Sequence, residues 1–364
     1  MPTTDSPALP SGFPDQLYGP AVWSKHVDEQ EYVCQLTESD INSIESALQH
    51  FQGLGISPHK LDQQYFPLPP LVSSKLRYLS HDVHSGRGFS VIRGLDPEKY
   101  TEEENVIIYG GVASYVGRDR ADMIWLFDRA GGSLTQENQA KFPPNELTSS
   151  MRDFHTDVDA GDILSLFTMM LSKTGGQQYL TSFWSVYNDL AQHNPEVLQV
   201  LASDWRYEMK KQQGVQVINR PIIYCVDNKV QINFATAFLK GSSYIPRQTD
   251  SPDLTVHQEE AIKILLQVSR KHSMGLSQAS GDMLFVNNLC ILHARDSFVN
   301  DGASGKTRRL MSLMLRDPEL AWRKPTATAI EMGKKFAKLD VPQFMGTVEH
   351  YEDFRNTFAL LRHD

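Results

Sequence analysis

The stretch Phe154-His155-Thr156-Asp157 places an imidazole two residues ahead of a carboxylate. In an extended strand residues i and i+2 face the same way, so His155 and Asp157 can offer a nitrogen and an oxygen to one cation. Alone the pattern is weak. His26-Val27-Asp28 repeats it in a segment that reads as a surface approach to the first helix. Downstream, Gly281-Asp282 leads a strand, Asn287-Asn288 makes a turn, and His293-Ala294-Arg295 follows in a mostly apolar run reaching Phe298. Fifteen positions after His293, Arg308-Arg309 opens another apolar strand that ends at Arg316. A guanidinium that starts a buried strand calls for an anionic partner, whereas one that merely flanks the strand stays in solvent. Two histidines and one carboxylate form the facial ligand set that holds non-haem Fe(II) with positions left open. A separate arginine suits a two-pronged grip on a dicarboxylate.

These residues need a scaffold. Thr37 to Phe51 reads as an amphipathic helix, with Ile41, Ile44, Leu48 and Phe51 at helical spacing and Gly53 and Gly55 as stops. Leu71–Val83 and Glu103–Tyr115 read as further helices, with a short strand between Gly88 and Gly94. From Phe154 onward short β-type runs succeed one another: 163–171, 179–183, 215–218, 222–226, 230–234, 283–286 and 310–315. Asp227-Asn228 is a hairpin signal between two of them. Helices over Val186–Leu201 and Thr255–His272 interrupt the series, and the charged tail after Trp322 offers Phe336, Phe344 and Phe354 as anchors. The pattern predicts a mainly β core, a sandwich or barrel, with buttressing helices. A flexible segment over residues 1–20 and a single domain over 21–364 complete the expected organisation. No G-x-G-x-x-G follows a strand, and neither a P-loop nor G-x-S-x-G occurs.

Composition narrows the partners. The 364 residues are 40% hydrophobic and 22% charged, an ordinary globular balance. A net charge of −9 gives no basic field for phosphate backbones, so nucleic acid is not an expected partner. No run approaches the ~18–20 apolar residues that span a bilayer. Residues 1–20 show no basic start followed by an apolar stretch, and Cys34, Cys225 and Cys290 are odd in number and far apart. Together these predict a soluble, cytoplasmic protein.

As a set, His155-x-Asp157, Gly175-Gly176, Gly281-Asp282, Asn287-Asn288, His293-Ala294-Arg295 and the arginine-led strand resemble the TauD/TfdA-like Fe(II)/2-oxoglutarate-dependent dioxygenases of clavaminate-synthase-like fold, most closely their fungal members. The resemblance runs from about Gly88 to Trp322. It implies a double-stranded β-helix, or jelly roll, with helices buttressing it. It implies iron on His155, Asp157 and His293, and 2-oxoglutarate chelating that iron through its C1 carboxylate and keto oxygen. The far carboxylate of the co-substrate would pair with an arginine. Aligning on the strand end Leu315-Arg316-Asp317 selects Arg308, and aligning on the double arginine selects Arg309. Alternation lets only one face inward, and the first alignment is preferred.

Two positions depart from the family pattern. Gln178, with Thr181 nearby, stands where a threonine helps bind the co-substrate. Ser312 (or Leu313 in the other alignment) stands where an arginine often grips an anionic substrate. Asp157 separates the chain from halogenating members, which lack this carboxylate. The implied reaction uses O2 to oxidise an unactivated C–H bond of a small metabolite, by hydroxylation, desaturation or oxidative cyclisation. Phe154, Leu292 and Met314 are candidates for an apolar wall, and Trp184, Tyr187 and Trp205 for a pocket lining. Gln212–Gly214 and Gly241–Thr249 are candidate lids. Core packing or plain surface loop is the competing role for each of these. Asn287 and Asn288 would form a turn, or orient His293. Two other readings use the same scaffold: a Zn2+ or Mn2+ hydrolase or isomerase, which needs no dicarboxylate arginine, and a metal-free binding module.

Overall fold

A computed structural model describes residues 8–121, 123–129, 151–211, 214–242, 246–300, 308–336 and 344–346. Two β-sheets face each other. The larger runs β1 (Val33–Gln35), β2 (Phe89–Arg93), β14 (Met283–Asn287), β6 (Ile163–Met170), β17 (Arg308–Arg316), β4 (Met123–Arg129) and β18 (Phe344–Gly346), with β3 (Asp119–Arg120) also paired to β17. The smaller runs β13 (Met274–Gly275), β8 (Gln178–Ser182), β15 (Ile291–Arg295) and β5 (Arg152–His155). Two-stranded ribbons complete the β structure: β7 (Thr174–Gly175) with β16 (Phe298–Val299), β9 (Trp205–Lys211) with β10 (Gly214–Arg220), and β11 (Ile223–Val226) with β12 (Lys229–Ile232). The facing sheets make the expected jelly roll.

Alternation along the strands divides the apolar residues among three cores. Met283 and Phe285 of β14 and Met311, Leu313 and Leu315 of β17 face outward, against α2 (Glu38–Gly53), α3 (Pro70–Ser85) and α4 (Glu102–Ala113). Leu284 and Val286 face inward and meet Leu180 and Ile291 of the smaller sheet. The outer side of that smaller sheet packs on α5 (Phe183–His193), α6 (Pro195–Leu201) and α8 (Val256–His272). Short helices α1 (Glu29–Tyr32), α7 (Thr236–Leu239) and α9 (Thr326–Lys335) fill the edges.

Local chemistry explains the element ends. Thr37, Thr101 and Thr255 cap α2, α4 and α8 in reciprocal boxes with Asp40, Glu104 and Gln258. The helix expected over Val186–Leu201 is two helices, because Pro195 cannot continue the hydrogen-bond ladder and instead begins α6. Asp227 and Asn228 have φ of 51° and 59°, the left-handed pair that a tight hairpin with the natural strand twist requires. Gly281 has φ +90°, and a Cβ there would lie 1.8 Å from the Leu95 carbonyl oxygen. Its neighbour Asp282 accepts two bonds from Arg93, at 2.7 and 2.8 Å. The Gly281-Asp282 motif therefore docks the head of β14 onto β2.

The segment expected to be flexible through residue 20 is tied down over its described part. Leu17 is buried against α5, and its backbone exchanges hydrogen bonds of 2.8 and 2.9 Å with the Asn188 side chain. Phe336 is buried as anticipated; Phe354 lies outside the described residues. Among the described residues, no helix is long and apolar enough to cross a membrane.

Candidate metal centre and co-substrate pocket

The antiparallel register of β5 and β15 sets His155 directly opposite His293. Cross-strand partners point to the same face, so both rings turn into the space between the sheets, with centroids 4.1 Å apart. Asp157 lies just beyond the end of β5. Its carboxylate oxygens stand 4.0 Å from His155 Nε2 and 3.9 Å from His293 Nε2. Ligand atoms of all three residues fall within 4.8 Å of one another, the one such group among the described residues. Two bonds of about 2.0–2.2 Å, the length a divalent ion such as zinc makes to nitrogen or oxygen, span up to about 4 Å. Both histidine–aspartate separations match that span, so one ion can bridge Asp157 to either imidazole.

Hydrogen bonding prepares the donors. His155 Nδ1 donates to the Asp153 carbonyl at 2.7 Å, which puts the proton on Nδ1 and leaves the Nε2 lone pair facing the site. That Nε2 is buried and has no hydrogen-bond partner among the described residues. Burial first, then the neighbouring His293 and Arg152, holds the His155 imidazole well below its ordinary value. Burial lowers His293 too, although Asp157 opposes this. Two neutral imidazoles beside a carboxylate are what a divalent cation needs, because metal ligation requires unprotonated nitrogens.

Asp157 has no strand to fix it, and Asn288 does so instead. The Asn288 side chain accepts the Asp157 N–H at 2.8 Å and donates to the Asp157 and Gly161 carbonyls at 2.8 and 2.9 Å. Thr156, one residue earlier, is locked to the backbone of Phe234. Asn287 forms the turn, accepting the Leu289 N–H at 3.0 Å. Of the two asparagines one is thus a turn residue, and the other positions Asp157 rather than His293. Two residues beyond Asp157, Asp159 is left-handed, at φ 55°. It is paired with buried Arg220 at 2.9 and 2.7 Å and accepts from Asn233 at 2.9 Å. No sequence motif points to this pair, since Asp159 and Arg220 are 61 positions apart.

The two candidate anchor arginines part company. Arg308 is 5% exposed and lies over the Phe298 ring, with Arg295 against the same ring at 4.8 Å. Burial, and then Arg295, push the Arg308 guanidinium down to about 9. No carboxylate among the described residues pairs with it. Arg309 faces the opposite side, where it pairs with Glu102 of α4 at 2.6 Å. The alternative alignment, which selects Arg309, would have to take the arginine from this outward ion pair. Gly176 matters here: a Cβ on it would come 3.2 Å from Arg308 Nε, so the glycine leaves room for the guanidinium.

Gln178 stands opposite Arg295 in the β8–β15 ladder, buried and on the same face as His293. Thr181 does not. It pairs with Leu292, and its hydroxyl donates to the Ser269 carbonyl of α8 at 2.9 Å, away from the metal face. Phe154, Leu292, Tyr187 and Trp205 lie in the helix-side core, so the wall and lining roles are corrected to packing for these four. Trp184 borders both the helix-side and the inner core, and Met314 faces the inner core. Residues 212–213 and 243–245 lie outside the described residues, and Arg247 and Gln248 are pinned to Glu208 of β9.

The sequence profile described as "Taurine catabolism dioxygenase TauD, TfdA family" matches residues 54–314, which carry every residue of this site. The chain belongs to the TauD/TfdA family. It is a dioxygenase that uses Fe(II) and 2-oxoglutarate. A taurine hydroxylase-like protein of Stachybotrys chartarum, SAT17, is 34% identical over 326 residues, 86% of this chain and 83% of its own. FR-33289 synthase of Streptomyces rubellomurinus is 23% identical over 318 residues, 82% of this chain and 89% of its own. Asparagine oxygenase, solved with Fe(II), 3-hydroxyasparagine and succinate, superposes with a TM-score of 0.60 at 14% identity, covering 80% of this chain and 98% of that one. The non-heme iron oxygenase OrfP, solved with Fe and α-ketoglutaric acid, gives 0.55 at 15% identity, covering 78% and 94%. These distant likenesses establish the jelly-roll fold of this TauD/TfdA member.

Proposed function

We propose that this TauD/TfdA member oxidises an unactivated C–H bond of a small metabolite, an amino acid or natural-product intermediate, in cytoplasmic secondary metabolism. His155, Asp157 and His293 are its iron ligands in this reading. Arg308 anchors the far carboxylate of 2-oxoglutarate, and Gln178 lines the same pocket. The observation that carries the reading is the presence, beside three converging metal donors, of a buried, donor-only guanidinium that shares the Phe298 ring with Arg295, itself on the His293 face of β15. A hydrolase or isomerase would have no use for Arg308. Names of relatives point the same way: one is a hydroxylase-like protein, one a synthase, and the structural neighbours were solved with hydroxylated amino acids.

Bound Fe(II) supplies dioxygen activation coupled to oxidation of 2-oxoglutarate to succinate and CO2. The chain's part is to hold and orient. The bond from His155 Nδ1 to Asp153 fixes one imidazole, the β5–β15 register fixes the other, and Asn288 fixes the carboxylate. The inner core around Leu164, Leu284 and Ile291 keeps water from the cleft's floor.

The test is anaerobic binding of 2-oxoglutarate to Fe(II)-loaded protein, followed by succinate release on adding O2. Binding that needs both the metal and Arg308 is expected. No 2-oxoglutarate binding by metal-loaded wild type would defeat the proposal.

A further inference from the structure

β5 carries a second residue directed at the cleft. His155 pairs with His293, but two positions on along β15, Arg295 pairs with Arg152, which is three positions away on β5. One extra residue therefore bulges from β5 between the two pairs. In a regular strand residues three apart face opposite ways; a bulge restores them to one face and re-aims the side chain. Arg152 thus shares the face of His155, His293 and Arg295. No carboxylate among the described residues lies within ion-pair distance of Arg152. The acid beside it, Asp153, is taken by Arg270 of α8. Arg308 lies near Phe298, beyond Arg295, so Arg152 is a separate cation on the β5 side of the metal donors.

We infer that Arg152 binds an oxyanion of the primary substrate, a carboxylate or sulfonate, and so selects an acidic small molecule. The inference deepens the oxygenase reading and rests on it. With the co-substrate's far carboxylate on Arg308, the half-buried Arg152 guanidinium is left to receive an anion of the substrate. Arginine's planar fork suits such a group. The bulge lets one short strand present both a metal ligand and a substrate anchor.

Equilibrium dialysis with radiolabelled sulfate tests this on full-length protein loaded with Mn(II) and N-oxalylglycine, which fills the co-substrate place. Wild type should bind sulfate, and acetate but not acetamide should displace it. Arg152→Gln should weaken sulfate at least tenfold while N-oxalylglycine affinity stays within twofold. Arg152→Lys should recover part of the loss. Arg152→Met provides the same comparison if the glutamine variant does not fold. Equal sulfate binding by wild type and variant overturns the inference. So does a tenfold loss of N-oxalylglycine affinity in Arg152→Gln, which would make Arg152 a co-substrate residue. Failure of wild type to take up Mn(II) and N-oxalylglycine would instead sink the oxygenase reading. In that case the same sulfate titration, run on metal-free wild type and variant, decides whether Arg152 is an anion site.

Discussion

Asn288→Ala removes a side chain that touches neither metal nor substrate, yet it should weaken metal binding. Asn288 is 2% exposed and makes three hydrogen bonds of 2.8–2.9 Å, two to Asp157 and one to Gly161. At about 1 kcal/mol net for each, the loss of folding stability is about 3 kcal/mol. Groups that orient metal ligands typically contribute 10- to 100-fold in affinity, or about 1.4–2.7 kcal/mol. Asp157 lies outside the β ladder, so its backbone should drift when this clamp is gone, and the ion should meet a looser third ligand. Urea unfolding of metal-free protein reads the first quantity, and a Co(II) titration reads the second. Asn287→Ala is the control. It removes one bond of 3.2 Å to Val83 and one of 3.0 Å to Leu289, so it should destabilise the turn while leaving Co(II) affinity within about twofold. If Asn288→Ala bound Co(II) as wild type does, or if Asn287→Ala lost as much, Asn288 would not be the group that positions Asp157.

Other expectations follow from the same geometry. Arg308→Gln should weaken 2-oxoglutarate by about 30-fold or more, since removing one partner of a buried charge pair costs about 2–5 kcal/mol. Arg309→Gln should leave that affinity unchanged and cost at most about 1 kcal/mol of stability, its pair with Glu102 being partly exposed; calorimetric titration of both variants decides. His84, His155 and His293 are all held below 6.5 by burial, so the unfolded chain binds the extra protons. Stability of the metal-free protein should then be full above about pH 6.5 and fall as the pH drops below it. A urea midpoint at pH 5.5 no lower than at pH 7.5 would contradict this. Arg220→Met strands the Asp159 carboxylate, whose side chain is 5% exposed, and should cost about 3–5 kcal/mol in thermal or urea unfolding.

Spacing and alternation carry much of this site, and their failures are informative. His155-x-Asp157, a distant histidine and an arginine-led strand are visible because each residue type is costly in an apolar run. Whether Arg308 or Arg309 turns inward depends on which face of β17 meets α4, and that is a tertiary fact. Thr181 misleads because it is one residue out of phase with Leu180, the partner of His293. Arg152 escapes a reading by spacing because three residues of separation argue against a shared face, and only the partner strand reveals the bulge. Asp159 and Arg220 carry no periodic signal at all. The helix break at Pro195 is legible, since proline inside a helical pattern marks a boundary.

The two imidazoles belong to neighbouring strands, whereas the carboxylate hangs from a turn just past the end of one of them. Shortening residue 157 to alanine or glycine would therefore leave every rung of the β5–β15 ladder in place. The scaffold can shed one-third of its donor set while the remainder stays assembled. Metal-free Asp157→Ala protein should therefore keep His155 opposite His293.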